Sequence, residues 1–343
     1  MLLVRYGTWN STGREWRTTD MEVNIVNRAA LKVAICVCTI SRPDELVKLF
    51  SNLQAIDLGD YDPANVQLII IDNKLGTDTR EYCEQAAPSL PIAVHYTCEP
   101  ETGITYARNH ALSVALERGA DVVAFLDDDD EPHPDWLTRL LDQYLDSGAD
   151  LIFGTWILDP GMPEWAKATG IFRSPSKVKK ENKVRRYGLP NFASTCNVLV
   201  GKDIIERVAS TGPVFSHAFR FSGGEDKDFF LRALALGANV TTADASIIQR
   251  NHEPARYTVK GLLKRGFKNG CSQVNMVRTH GTLGRQIKLA MTSLLKFLVI
   301  LLILPFCVFS RGRFMHSLYR LAKSSGVVFA SLTGRSINYY SRK

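Results

Sequence analysis

The sequence predicts an α/β fold in which a mostly parallel sheet is covered by helices on both faces. Short, continuous apolar segments rich in β-branched residues recur between residues 33 and 126, as in strands that are buried on both sides. Segments of helical periodicity separate them, and strands that alternate with helices build parallel sheets. The composition, 45% hydrophobic and 22% charged over 343 residues, is typical of a globular chain and excludes wholesale disorder.

The first strand is predicted at residues 33–40, VAICVCTI. A helix follows, because Ser41 can cap it, Pro43 suits its first turn, and apolar residues then recur at helical spacing. These apolar residues are Leu46, Leu49, Phe50 and Leu53. Further strands are predicted at residues 66–71, 92–96 and 122–126, with helices at residues 79–85 and 104–118 and another beginning near residue 134.

The chain divides into three predicted regions. Residues 1–30 carry no convincing period, so they form an N-terminal extension that is either frayed or added to a sheet edge. Residues 31–254 form the α/β domain, and residues 255–343 form a basic helical region. Seven cysteines without a CxxC pair favour a reducing compartment over a disulfide framework or a structural zinc site. The apolar start is broken at Arg5, so we expect no secretory signal and a chain that starts in the cytosol.

Charge is distributed unevenly along the chain. From residue 251 onward there are 16 lysines and arginines against one acidic residue, whereas the first 250 residues hold 26 basic and 34 acidic residues. A basic region of this kind indicates a polyanionic partner, either a membrane surface or nucleic acid. Nucleic acid is the weaker alternative, because phosphate contacts need basic and polar side chains rather than a long aliphatic stretch.

That aliphatic stretch spans residues 289–309 and contains one charge, Lys296. Its length would cross a bilayer core, although Lys296 and Pro305 are awkward inside lipid. Basic residues flank both ends, so the positive-inside rule assigns no orientation. A re-entrant or in-plane helix on an anionic membrane surface fits these flanks better than a span. The alternative is a buried core or oligomer-interface helix.

Acidic residues follow the predicted strands, at the edge where parallel sheets bind ligands. Thr39, Asp72 and Glu99 each come after a strand, and the fourth strand leads into the acidic run DDDDE at residues 127–131. Successive carboxylates repel one another unless they are solvated or neutralised by a cation. Mg²⁺ and Mn²⁺ are held by one or two carboxylates. The run therefore predicts a divalent-cation site, with a solvated acidic turn as the alternative.

Five segments follow one another along the chain: VAICVCTISRP, LIIID, EPETGITYARNHAL, AFLDDDDEPHPDWL and GGEDKDFFLRALALG. Together they resemble the ordered motifs of family 2 glycosyltransferases with the GT-A fold, a Rossmann-like sheet covered by helices. The resemblance covers about residues 32–254, and the motifs come in the expected order and spacing. The acidic run followed by P-x-P-x-W-L, with the later basic hydrophobic tail, is most similar to bacterial transferases of exopolysaccharide synthesis of the succinoglycan type.

The resemblance implies a metal-dependent, inverting hexosyltransferase that uses a nucleotide sugar. Asp226, next to Glu225, would be the general base that takes the proton of the acceptor hydroxyl. Asp127 and Asp129 would hold Mn²⁺ or Mg²⁺, and His252 in RNHEP would add a ligand. The acceptor would be a lipid-linked or other membrane-held glycan at the cytoplasmic face of the inner membrane, reached through the C-terminal region, with no nucleic acid involved.

The same resemblance assigns the donor site. Asp72 would accept a hydrogen bond from the base, Arg108 would lie near the diphosphate, and Asp127 would face the ribose or the sugar. Asn197, in FASTCNVLV, would lie near the donor sugar. The remaining donor-binding residues are Thr39, Arg42, Glu99 and Asp128.

Two further segments bear on substrate choice. The turn DNKLG after the second strand lacks the second acid and the serine that many relatives carry, so a UDP-sugar is favoured over a guanosine donor only moderately. Residues 173–186 hold seven basic residues and one acid, which would attract the diphosphate of a lipid-linked acceptor.

Plainer interpretations stay open at this level. Asp226 is also placed to complement a helix dipole, with Asp228 pairing to Arg232 four residues later. Arg108 suits a helix-surface ion pair, and His252 suits a structural role. The rival function is a catalytically inactive, membrane-tethered nucleotide-binding protein.

Overall fold

The structure is a computed structural model that describes residues 2–9, 16–23, 28–74, 77–172, 193–251 and 254–334. Within these residues it has ten strands and ten α-helices. In chain order they are β1 (Leu2–Trp9), β2 (Trp16–Val23), β3 (Val33–Thr39), α1 (Pro43–Gln54), β4 (Val66–Asp72), α2 (Thr77–Ala86), β5 (Ala93–Cys98), α3 (Ile104–Glu117), β6 (Val122–Asp127), β7 (Asp130–Pro132), α4 (Trp136–Ser147), β8 (Leu151–Leu158), α5 (Glu164–Thr169), β9 (Asn197–Gly201), α6 (Lys202–Ala209), α7 (Glu225–Ala235), β10 (Val240–Arg250), α8 (Val259–His280), α9 (Leu283–Ile303) and α10 (Arg311–Thr333).

Eight strands form one mixed, mostly parallel sheet in the order β5-β4-β3-β6-β9-β8-β10-β7. The four strands predicted from the sequence, β3 to β6, run parallel to one another, and β8 and β10 also pair in parallel. Strand β9 runs antiparallel to both of its neighbours, and β7 runs antiparallel to β10. The predicted α/β class is confirmed, and the register sets Thr39 opposite Asp72 and Cys38 opposite Asp127.

The helices cover both faces of the sheet, so central strands such as β3 are buried on both faces. Along β3, Val33, Ile35 and Val37 belong to the core beneath α1 and α4, while Ala34 and Cys36 belong to the core beneath α3, α6 and α7. Because successive side chains of a strand point to opposite faces, a continuous apolar run is what a strand between two layers needs. The apolar face of α1 is buried as its spacing predicted.

The N-terminal residues form a separate element. Strands β1 and β2 pair with each other in an antiparallel two-stranded sheet along their whole length. In the described residues neither strand joins the eight-stranded sheet. The two described strands therefore pair with each other and do not extend the edge of the larger sheet.

The C-terminal helices pack onto the α/β domain and onto each other. Helices α8 and α10 run side by side in the same direction, and Arg278 near the end of α8 donates to the carbonyl of Ala330 over 2.8 Å. Helix α10 is tied to α5, where His316 Nδ1 lies 2.7 Å from the carbonyl oxygen of Thr169. Because α8 and α10 are parallel, α9 runs back along the opposite direction to join them.

Helix α9 leaves most of its apolar surface exposed. With the short 3₁₀ turn that follows it, residues Leu283–Cys307 are long and apolar enough to cross a membrane, by length and composition. Leu302 is 73% exposed and Phe306 78% exposed, and Phe309 just beyond is 93% exposed. The described residues therefore do not bury this helix in the core of the chain.

Candidate functional site

The predicted donor-side residues meet where β3 and β4 end. The carboxylate of Asp72 is buried and accepts the backbone N–H of Ser41 at 3.0 Å, that of Lys74 at 3.1 Å and the hydroxyl of Tyr96 at 3.2 Å. Ser41 was predicted to cap α1, but the cap is Arg42, and Ser41 turns with φ 44° toward Asp72 instead. Asp72 is thus a carboxylate held in one orientation by three neighbours.

Asn73, which the sequence analysis did not single out, joins the loops around this carboxylate. Its amide nitrogen donates to the carbonyls of Glu99 at 3.0 Å and Glu101 at 2.7 Å, and its Oδ1 accepts the N–H of Gly103 at 2.7 Å. Glu99 in turn lies 3.0 Å from His110 of α3. The predicted donor residue Glu99 therefore has its place in the loop that leads into α3.

Asp128 faces back toward β3. It is 7% exposed, accepts the hydroxyl of Thr39 at 2.7 Å, and lies 3.4 Å from Arg42 Nη1. Burial raises the pKa of its carboxyl to about 7, although Arg42 and the Thr39 hydroxyl act in the other direction. Three of the predicted donor-site residues, Thr39, Arg42 and Asp128, therefore form one contact group.

Arg108 joins the acidic run to the start of α7. Its Nη1 lies 2.7 Å from Glu225 Oε1, and its Nη2 lies 3.8 Å from Asp127 Oδ1. Burial opposes its charge, but Glu225, Asp127 and Asp226 raise its pKa above the ordinary value. Because Arg108 is 8% exposed and bridges three elements, the structure does not support the helix-surface ion pair.

Arg250, at the end of β10, is a second cation in the acidic cluster and was not predicted. Its Nη2 lies 3.1 Å from Asp127 Oδ2, and its Nε lies 3.4 Å from Asp130 Oδ1. It is the first residue of the RNHEP segment, so a basic residue next to the predicted ligand was the signal available in the sequence. The predicted ligand His252 lies outside the described residues, as does the basic segment 173–186.

The cluster offers ligands for a divalent cation. Ligand atoms of Asp127, Asp130 and Cys196 lie within 4.8 Å of one another. The carboxylates fit a hard ion such as Mg²⁺ or Mn²⁺. The thiol fits poorly, because burial raises the pKa of Cys196 to about 12 and keeps it protonated. Asp129, the predicted ligand, is outside this group of three; burial and then Asp127 raise its pKa, while Arg256, Arg250 and Arg42 lower it.

The predicted base, Asp226, lies in the first turn of α7. Two glycines with positive φ, Gly223 at 71° and Gly224 at 102°, lead into this helix. Asp226 Oδ1 accepts a hydrogen bond from the N–H of Lys227 at 2.7 Å. Burial and Glu225 raise the pKa of Asp226 to about 6, against the opposing effects of Arg108 and the Lys227 N–H. A carboxyl with this pKa can accept a proton near neutral pH.

Asp228 has a different environment two residues later. It is 1% exposed and lies 3.0 Å from Arg232 Nε, the expected i,i+4 pair, and 2.7 Å from His280 Nε2 of α8. The stabilising pair and the proposed base are therefore separate residues of one helix.

Asn197 lies at the start of β9 and is 2% exposed. Its amide nitrogen donates to the carbonyls of Thr155 at 2.9 Å and Ser246 at 3.2 Å, which belong to β8 and β10. This geometry gives Asn197 a place in the sheet and lends no support to the predicted contact with the donor sugar.

Comparison of the sequence with known proteins gives a family and two close relatives. The model of the family described as "Glycosyl transferase family 2" matches residues 34–208. The succinoglycan biosynthesis protein ExoM of Rhizobium meliloti is 31% identical over 74% of this chain and 75% of its own length. The glycosyltransferase AglE of Haloferax volcanii is 28% identical over 65% of this chain and 68% of its own length.

Solved structures show the same fold at low identity. The mannosyltransferase PcManGT of Pyrobaculum calidifontis, in complex with GDP-Man and Mn²⁺, has a TM-score of 0.53 at 13% identity and covers 92% of this chain and 79% of its own. S. aureus TarS 1-349 in complex with UDP has a TM-score of 0.50 at 13% identity, covering 91% of this chain and 93% of its own. At this identity the likeness concerns the fold alone.

Proposed function

The chain belongs to glycosyltransferase family 2, and from this we propose that it is a metal-dependent, inverting enzyme. It would transfer a hexose from a nucleotide sugar, with a UDP-sugar favoured, to a membrane-held glycan acceptor in envelope or exopolysaccharide synthesis. One observation carries the proposal: Arg108 connects the acidic run to the helix that starts with Glu225 and Asp226. Donor-binding acids and a base therefore line one edge of a GT-A sheet.

The chemistry follows from this placement. The acceptor hydroxyl attacks the anomeric carbon from the face opposite the diphosphate, and Asp226 takes the hydroxyl proton as the new C–O bond forms. The bond from the anomeric carbon to the diphosphate oxygen breaks, and the nucleoside diphosphate leaves with the electron pair. Attack from the opposite face inverts the configuration.

Asp127 and Asp129 are the residues that would hold Mn²⁺ or Mg²⁺, with Asp130 close by. When bound, the ion would offset the negative charge that develops on the leaving diphosphate. Arg108 and Arg250 hold the ligand Asp127 in place. The structurally similar mannosyltransferase that was solved with GDP-Man and Mn²⁺ supports the choice of ion.

The nucleobase of the donor would bind near Asp72. Its carboxylate, held by Ser41 and Tyr96, would accept an N–H of the base, which both uracil and guanine offer. One structurally similar protein was solved with UDP and another with GDP-Man. The experiment below therefore includes both UDP- and GDP-sugars.

The acceptor would be lipid-linked and reached at the cytoplasmic face of the inner membrane. The exposed apolar helix α9 supports this, because water penalises an uncovered aliphatic surface of this length. Arg285 and Lys288 within α9 and Arg311 and Arg313 after it would contact anionic lipid headgroups. The relative named for succinoglycan biosynthesis supports a polysaccharide product.

A donor panel tests the proposed function. Purified protein would be incubated with UDP- and GDP-sugars and membrane lipid extract, with Mn²⁺, Mg²⁺ or a chelator, and released nucleotide would be measured. We expect release with one donor class, loss with the chelator, and loss in Asp129→Ala. Asp60→Ala, at an exposed position, should behave as wild type. Donor binding without release under every condition would instead support the inactive nucleotide-binding alternative.

A further inference from the structure

One face of α8 packs against the turn that carries the catalytic acids. The residues on this face are spaced at i, i+4, i+7 and i+8, which places them on one side of a helix. The opposite side of α8 packs on α10 through Gly266 and Gly270. The residues that face the turn are Lys268, Ser272, Asn275 and Met276.

Two of these side chains hold the backbone before α7. Ser272 Oγ donates to the carbonyl of Gly223 at 2.8 Å, and Asn275 Nδ2 donates to Ser222 Oγ at 3.0 Å. A Cβ at Gly224 would come within 2.8 Å of Ser272 Oγ. Helix α8 and the glycine turn are therefore in direct contact, and their hydrogen bonds fix the position from which α7 starts.

Lys268 places a cation beside the same turn. A Cβ at Gly223 would lie 3.0 Å from its Cε and 3.3 Å from its Nζ, so the ammonium group lies against the glycine backbone. Among the acids that act on its charge are Glu225 and Asp226, and among the cations are Arg256 and Arg265. Burial lowers the pKa of Lys268 to about 8, so at neutral pH it is mostly charged.

The charge of Lys268 bears on the proposed base. After burial, the largest effects on the pKa of Asp226 come from Glu225 on its own helix, Arg108 of α3, the N–H of Lys227 and Asp127 of β6. Two acids disfavour the ionised base, while Arg108 favours it, and a cation from α8 adds to Arg108. A nonpolar side chain would fill the same space without this effect.

We propose that Lys268 is a positioning residue for Asp226, supplied to the catalytic turn by the C-terminal helical region. This inference rests on the proposed function and adds a residue that lies outside the segment matched by the family model. The helix that precedes the membrane-facing α9 would thereby complete the site. Lys268 acts through the turn and through the charge on Asp226, and it takes no part in bond making.

The test compares the pH dependence of transfer in wild type, Lys268→Met and Lys268→Arg. Methionine keeps about the same length but removes the charge, so the acid limb of kcat should move to higher pH. On that limb kcat should be lower than in wild type at the same pH, with the KM for the donor unchanged. Lys268→Arg should restore the limb. Lys260→Met, at an exposed position of the same helix, is the matched control.

The outcomes separate the inference from the proposed function. If wild type transfers sugar and Lys268→Met keeps its acid limb, the inference is wrong and the function stands. A change confined to the KM of either substrate would also overturn it, because it indicates substrate contact. Thermal unfolding checks the fold, and Lys268→Gln serves if the methionine variant is unstable. A wild type that transfers nothing would remove both.

Discussion

At the scale of single residues, neighbouring carboxyls of one helix have different chemistry because their partners differ. Asp228 lies between Arg232 and His280, so its carboxylate stabilises the contact between α7 and α8. Asp226 shares its surroundings with Glu225, and burial raises its pKa. The predicted pairing of Asp228 with Arg232 is present, while Asp226, in the first turn of α7, complements the helix dipole and is also the base that we propose.

Asp226→Asn should abolish transfer, while the protein stays folded and still binds the donor. A general base contributes about 10²–10⁴-fold, so kcat should fall by that much. In wild type, kcat should be full above the pKa of about 6 and fall as the pH drops below it. The measurement is kcat against pH together with donor binding by calorimetry.

Stability provides the control for this substitution. A carboxyl whose pKa is raised on folding destabilises the fold when the pH is above that pKa, so Asp226→Asn should not lower the Tm at pH 8. Asp203→Asn, in the first turn of α6 and exposed, should leave both kcat and Tm unchanged. Normal transfer by Asp226→Asn would show that another group is the base.

At the scale of elements, the C-terminal region is a packed layer that also exposes one apolar helix. Helices α8 and α10 approach closely because glycines meet backbone at their crossing: a Cβ at Gly270 would overlap the carbonyl of Lys323, and a Cβ at Gly326 that of Phe267. The sequence predicts one basic, membrane-associating helical region at residues 255–343. Within the part of this region that the structure describes, only α9 exposes a long apolar surface.

Gly270→Ala should therefore destabilise the protein. The added methyl group meets backbone atoms that cannot rotate away, and overpacking of this kind costs about 1–3 kcal/mol. A lower Tm in thermal unfolding would show it. Gly284→Ala is the matched control, because the nearest atom to a Cβ there is 4.0 Å away, and it should leave the Tm unchanged or raise it. Equal Tm values for both variants would contradict the tight crossing.

At the scale of the whole molecule, charge and apolar surface are separated along the chain. Several acids of the first 250 residues, among them Asp72, Asp127 and Asp226, lie near one sheet edge, and the basic excess lies in the residues after 250. The chain therefore has two distinct surfaces. The acidic sheet edge would bind a cation and a nucleotide, and the exposed face of α9 would contact lipid. Lys268 connects them, because it belongs to the C-terminal helices and lies against the turn before α7.

Replacing Leu302, Phe306 and Phe309 together by Ser should release the protein from membranes. Each apolar side chain contributes about 1.5–3 kcal/mol when buried in an apolar phase, so losing three should shift the protein to the soluble fraction. The measurement is fractionation followed by a carbonate wash. Val47→Ser with Leu236→Ser, at exposed apolar positions elsewhere, should leave the distribution unchanged. A wild type that is soluble without detergent would contradict membrane association.

The sequence predicted the four strands β3 to β6, the helices between them and the acids at the sheet edge. These depend on local patterns: an apolar run such as VAICVCTI is buried on both faces, and an acid that follows a strand lies at the ligand edge. Such features involve residues close together in the chain, so periodicity is enough to find them. Asp72 and Asp127 were predicted from their places after strands, and Asp226 from its motif in the family resemblance.

The tertiary structure alone decided which cations meet these acids. Arg250 and Lys268 are 123 and 42 residues away from Asp127 and Asp226 along the chain, and only the packing of β10 and α8 brings them to the site. Their charges act over a few ångströms, whatever the separation in sequence. The partners of a carboxylate, and with them its pKa, are therefore properties of the folded chain.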